Sequence, residues 1–88
     1  MSTSAPEPRA NEVAFLEQEL VVSLEDGRVV HVPLEWFPRL RDATEAQRKE
    51  WRLVGGGIGI HWPQVDEDLS VRGLLMPELM TPSRRRPA

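Results

Sequence analysis

Over residues 15–24 the chain alternates, with Leu16, Leu20, Val22 and Leu24 on one parity and Glu17, Glu19 and Ser23 on the other. A period of two predicts a half-buried strand. The polar break Glu25-Asp26-Gly27-Arg28 follows, after which Val30, Val32 and Leu34 carry the apolar parity onward. Register decides the loop length. A two-residue Asp26-Gly27 turn would pair Leu24 with Val29 and bring His31 and Pro33 among the core leucines. A three-residue loop of Glu25, Asp26 and Gly27 instead pairs Leu24 with Arg28, Val22 with Val30 and Leu20 with Val32. It also places Gly27 at the left-handed bulge position, where a residue without Cβ is unstrained. The pattern therefore predicts a bulged hairpin.

Further along, Pro38 pushes Phe37 toward extended geometry and interrupts any long helix, so 34–40 reads as a turn or short helical piece. Thr44-Glu45-Ala46-Gln47 is a capping box, which predicts a helix over 45–51 with a mostly solvated face. Arg52-Leu53-Val54 then leads into Gly55-Gly56-Gly57, and 58–62 alternates again with Ile58, Ile60 and Trp62 on one face. That is a second hairpin turning on glycines, ended by Pro63, which cannot donate to a ladder. Behind an acidic loop, Ser70 is a good cap for Val71, Leu74 and Leu75, spaced as one or two helical turns. The expected fold is a small α+β domain: two β-hairpins in an antiparallel sheet, a short helix between them and a short C-terminal helix.

Composition trims this picture at both ends. Residues 1–12 and 77–88 are polar and proline-rich and are expected to be disordered, leaving 13–76 as one domain. A core of that size supplies only about 3 to 5 kcal/mol of net stability. A protein partner or homo-oligomer is a reasonable expectation. The chain has no cysteine, which removes disulfides, thiolate metal sites and thiol nucleophiles. No apolar run approaches a signal-peptide core or a membrane span, so no membrane contact and cytoplasmic residence are expected. Residues 1–12, 13–76 and 77–88 carry −1, −4 and +2. An acidic body repels phosphate, and only Arg84, Arg85 and Arg86 could add a weak, salt-sensitive nucleic-acid contact. Arginines in a polar tail serve solubility equally well.

Candidate chemistry is sparse. The run from Gly55 to Gly59 lacks the following helix and the lysine of phosphate-binding loops, so it reads as a turn. His61 with Asp66, Glu67 and Asp68 is the one cluster that could hold a hard divalent ion or do acid–base work. The rival reading places these acids ahead of the helix near Ser70, complementing its positive end and capping it, with His61 on the outer strand face opposite Trp62. His31, on the solvent parity, is less suited to be a ligand. Ser23 lies in a strand, Ser70 reads as a cap, and no motif ties either histidine to them, so no serine triad can be assembled. Among Trp36, Trp51 and Trp62, two are expected in the core and Trp36, beside Phe37, is expected to be exposed as an interaction anchor.

The stretch Gly59-Ile60-His61-Trp62-Pro63-Gln64-Val65-Asp66-Glu67-Asp68-Leu69-Ser70-Val71 resembles the bacterial family catalogued as domain of unknown function 2442. Asp26-Gly27, Pro38-Arg39-Leu40 with Ala43-Thr44, the helix before Trp51 and Gly73-Leu74-Leu75 fit the same pattern, so the likeness covers 20–75. Val65 and Leu69 stand where leucine and isoleucine are expected. The resemblance implies a small α+β domain without established activity. It also implies relatives joined to a helix-turn-helix domain or encoded beside another small protein, as antitoxins are. This chain's tail is too short for two such helices, which argues against direct repression. The expectation is a non-catalytic interaction module without cofactor or metal, antitoxin-like or regulatory. It would bind through an open sheet edge or through the surface of Trp36, Phe37, His61, Trp62, Asp66, Glu67 and Asp68. The alternatives are a metal-dependent hydrolase at His61, Asp66, Glu67 and Asp68, and weak nucleic-acid association through the arginine tail.

Overall fold

Alternation over Glu19–Leu24 turns Leu20, Val22 and Leu24 to one side, where all three are buried. In the computed structural model, which describes residues 7–76, this strand is β2 and lies between β1 (Ala10–Leu16) and β3 (Val29–Pro33) in a three-stranded antiparallel sheet. The β2–β3 hairpin has the expected register, with Leu20 opposite Val32 and Val22 opposite Val30. Leu24 N–H donates to the Arg28 carbonyl at 2.8 Å and Gly27 N–H to the Leu24 carbonyl at 3.1 Å, closing the loop with Gly27 at φ 98°. Asp26 accepts from the Arg28 backbone amide at 3.0 Å and from its Nε at 2.8 Å. The amide bond above all, with the guanidinium, holds the Asp26 carboxyl below its ordinary pKa.

The stretch 15–24 is not the single strand that its parity predicts. Glu17 and Gln18 reverse the chain, Glu17 at φ 50°, and Leu16 pairs with Glu19. The reversal gives β2 a partner on both sides, and Leu34 N–H secures the turn by donating to the Gln18 carbonyl at 2.8 Å. It also flips the parity upstream. Leu16, expected inside, is 55% exposed, while Val13 is buried and Phe15 packs partly against the core. β1 starts at Ala10, ahead of the boundary expected at Val13, because buried Ala10 pairs with Leu24 and the Arg9 carbonyl accepts from Glu25 N–H at 2.9 Å.

A second three-stranded antiparallel sheet contains β4 (Arg52–Val54), β5 (Gly59–Trp62) and β6 (Glu67–Ser70), with β5 in the middle. Ile60 and Trp62 face inward as expected, but Ile58 sits in the turn and is 38% exposed. β5 stops before Pro63. The acids behind it, expected in a loop, belong in part to β6, because Glu67 to Ser70 find partners along β5. The two expected hairpins thus belong to two separate antiparallel sheets. Gly55–Gly57 form a 3-10 turn packed on the start of β1: a Cβ on Gly57, at φ 108°, would lie 2.5 Å from the Ala10 carbonyl oxygen. The Arg9 guanidinium donates to the Gly55 and Gly56 carbonyls at 2.9 and 3.3 Å, fastening the two sheets there.

Helical pieces fill the remaining space. A 3-10 turn at Leu34–Trp36 and α1 (Pro38–Arg41) follow β3, with Pro38 at the helix start where its missing N–H costs nothing. α2 (Glu45–Arg48) has the complete capping box, Gln47 N–H donating to Thr44 Oγ1 at 3.1 Å and Thr44 N–H to Gln47 Oε1 at 2.9 Å. It ends at Arg48 and does not continue to Trp51, since none of its residues is buried and a helix this short has no packing to prolong it. α3 (Val71–Leu75) is capped by Ser70, whose Oγ accepts from Gly73 N–H at 2.9 Å. Leu34, Phe37, Leu40, Val71 and Leu74 close the core over Leu20, Val22, Val32, Ile60 and Trp62. The α+β class stands.

Candidate interaction site

The His-Trp-Pro-acid segment folds as the β5–β6 hairpin, and strand alternation distributes its side chains. Trp62 is fully buried, its Nε1–H donates to the Arg48 carbonyl at 3.0 Å, and its ring meets Phe15 edge-on at 6.3 Å between centroids. Glu67, opposite Trp62, is buried at 8% exposure. His61 and Asp68 point the other way, His61 Nδ1 lying 2.7 Å from Asp68 Oδ1. Asp66 sits in the turn at φ 55°, a left-handed position that aspartate tolerates better than most residues. Its carbonyl accepts from Arg39 Nη1 at 2.6 Å, with its carboxylate 3.9 Å from the same group.

The three acids therefore diverge: one into a turn, one into the core, one onto the outer face. Among the described residues, no group of three His, Asp or Glu side chains comes together that could hold a metal ion, so His61, Asp66, Glu67 and Asp68 do not form the ion-binding cluster weighed as an alternative. Nor do the acids cap the following helix, because β6 extends them past one another and Ser70 takes the cap position. Burial also removes Trp62, Glu67 and Phe37, the last 4% exposed, from the expected binding surface. Trp36 remains outside, 47% exposed, with its ring edge-on to Phe37. His31 faces solvent as expected and pairs with Glu19 at 2.9 Å. Arg84, Arg85 and Arg86 lie outside the described residues.

A feature that sequence reasoning missed lies along β1. Val13, Ala14, Phe15 and Glu17 face Glu45, Arg48, Lys49 and Trp51 across a cleft of about 470 Å³. Arg48 braces it, donating to the Leu40 and Arg41 carbonyls at 2.9 and 2.7 Å while its guanidinium sits 5.6 Å from the centre of the Phe15 ring. The signal available in the sequence was length: a ten-residue strand over 15–24 exceeds the usual five or six, and Glu17-Gln18 supplies a polar interruption within it.

The architecture has a counterpart among solved structures. A protein of unknown function from Rhodospirillum rubrum superposes with a TM-score of 0.74 at 30% sequence identity, over 89% of this chain and 96% of that one. No curated protein matches. No helix among the described residues is long and apolar enough to cross a membrane. The sequence pattern of the family described as "Protein of unknown function (DUF2442)" matches residues 10–79, from the first residue of β1 to beyond the end of α3, and the chain belongs to that family.

Proposed function

We propose that this chain is a non-catalytic protein-interaction module, the antitoxin-like or regulatory partner of a small two-protein system. The observation that carries the reading is the divergence of Asp66, Glu67 and Asp68. The densest titratable segment of the sequence spends its groups on a turn, on the core and on a surface pair. Surface apolar groups support it as well. Trp36, Leu16, Val29, Leu53 and Val54 are all at least 36% exposed, in a domain whose small core benefits from burying more. The acidic body suits a basic partner, and cytoplasmic residence goes with the absence of cysteine.

The test is isolation of the full chain from its native host, followed by native mass spectrometry and size-exclusion chromatography with light scattering. A stoichiometric complex with a second polypeptide, or a stable homo-oligomer, supports the proposal. A strictly monomeric, partnerless protein with a high melting temperature overturns it.

A further inference from the structure

A free strand edge carries backbone donors and acceptors that another strand can pair. In β1 the register identifies them. Leu16 and Glu19 flank a two-residue turn and so form a hydrogen-bonded pair, and antiparallel ladders alternate. Ala14 therefore bonds to β2, whereas Val13 and Phe15 turn their N–H and C=O groups away from it. No backbone hydrogen bond from the described residues reaches those groups. The cleft beside β1 is lined by three consecutive residues, Val13, Ala14 and Phe15. A sheet face offers alternate residues; consecutive ones mark the edge.

The chemistry of the cleft selects its occupant. Phe15 and Trp51 supply an apolar wall, and Glu17, Glu45 and Lys49 line the same cleft. Arg48 directs its Nε and Nη2 donors to the Leu40 and Arg41 carbonyls and keeps its positive charge in the cleft. Glu12, on the same strand, is exposed. Among the described residues none of Glu12, Glu17, Glu45 and Lys49 makes an ion pair. Within the cleft Glu17 and Glu45 are balanced by Arg48 and Lys49, and the surplus of negative charge comes from Glu12 beside it and from a body of charge −4. A second copy of the chain would bring another body of charge −4 against this one. We infer that the β1 edge and its cleft take an extended segment of a basic partner protein, added to β1 as a further strand, with apolar side chains on Phe15 and Trp51 and basic ones at Glu17 and Glu45. The inference rests on the reading of the chain as an interaction module.

Amide hydrogen exchange of the full chain, followed by NMR, tests it with two synthetic octapeptides that alternate arginine with valine or glutamate with valine. The arginine peptide is expected to slow exchange at Val13 and Phe15 by about tenfold or more, and the glutamate peptide to leave it unchanged. Glu17→Lys with Glu45→Lys, both on exposed and unpaired positions, is expected to weaken the arginine peptide about fivefold or more. Protection at other strand edges, or equal response to both peptides, overturns the inference. So does prior protection of Val13 and Phe15 that disappears when residues 77–88 are deleted or the protein is diluted, since the edge is then covered by the chain's own tail or by a second copy. A native partner that co-purifies equally well with the lysine variant sinks this site while the interaction reading survives. Binding of the arginine peptide to a chain that has no partner in its host does the reverse.

Discussion

The two faces of the β5–β6 hairpin are built from neighbouring residues of one sequence motif and do opposite work. On the inner face Trp62 and Glu67 are enclosed, the indole bonded to the Arg48 carbonyl and packed on Phe15. On the outer face His61 and Asp68 form a pair whose side chains are 31% and 73% exposed. The contrast teaches that density along a sequence is not convergence in space. In a strand, consecutive residues face opposite ways, so a run of three acids is the arrangement least able to surround one ion unless a loop gathers them. The inner half of the motif is architectural, and on the proposed reading the positions offered to a partner lie elsewhere, at the edge of β1 and around Trp36.

Substitution can break this contrast, beginning where the effect should be greatest. Trp62→Ala removes the largest fully buried side chain and one hydrogen bond, and is expected to cost about 3 to 5 kcal/mol, comparable to the whole net stability of so small a core. Urea denaturation should find the variant largely unfolded in buffer; a loss below about 1 kcal/mol would show that the inner face is not the structural one. Next comes Ser70→Ala, which deletes the α3 cap and should cost about 1 kcal/mol by the same measurement, since the Gly73 N–H loses its acceptor. The outer pair is expected to matter less. A double-mutant cycle of His61→Ala and Asp68→Ala should return a coupling of about 0.2 to 1 kcal/mol, and a coupling above about 2 kcal/mol would mean that the outer face is as structural as the inner.

Smallest of all is the contribution of the exposed Asp26. Its native pKa is lowered, so the stabilisation it provides is present above the ordinary carboxylate value and fades as pH falls through the lowered one. Asp26→Asn should therefore slightly flatten the acid limb of a stability–pH curve and leave stability at the lowest pH unchanged. Acid titrations of both proteins, followed by circular dichroism, would detect a difference of the opposite sign.

Much of the fold was legible because it rests on local rules. The bulged loop at Gly27 followed from parity and from the cost of a left-handed residue with a Cβ, and the caps at Thr44 and Ser70 followed from hydroxyls placed three residues before an amide in need. The Glu17-Gln18 reversal left only a faint trace, in the excess length of the 15–24 alternation. Neither residue belongs to the usual turn formers, and Glu17 is held at positive φ by the pairing of strands on either side of it, reinforced by the Leu34 bond to the Gln18 carbonyl. β6 was hidden for a related reason: Glu67-Asp68-Leu69-Ser70 has poor strand propensity, and only the presence of β5 beside it makes a strand of it.

The sequence by itself determined the bulged loop at Gly27, the caps at Thr44 and Ser70, the α+β class, the family and the alternation that puts Trp62 inside and His61 outside. Those depend on neighbours a few residues apart, where sterics and hydrogen-bond supply leave few choices. Only the tertiary structure decided that two sheets form, that the acids of the motif part company, and that the edge of β1 is left open above a cleft. Each of these depends on which distant strand offers a hydrogen-bonding partner and how much apolar area the pairing encloses, and such long-range balances leave no mark in the spacing of residues along the chain.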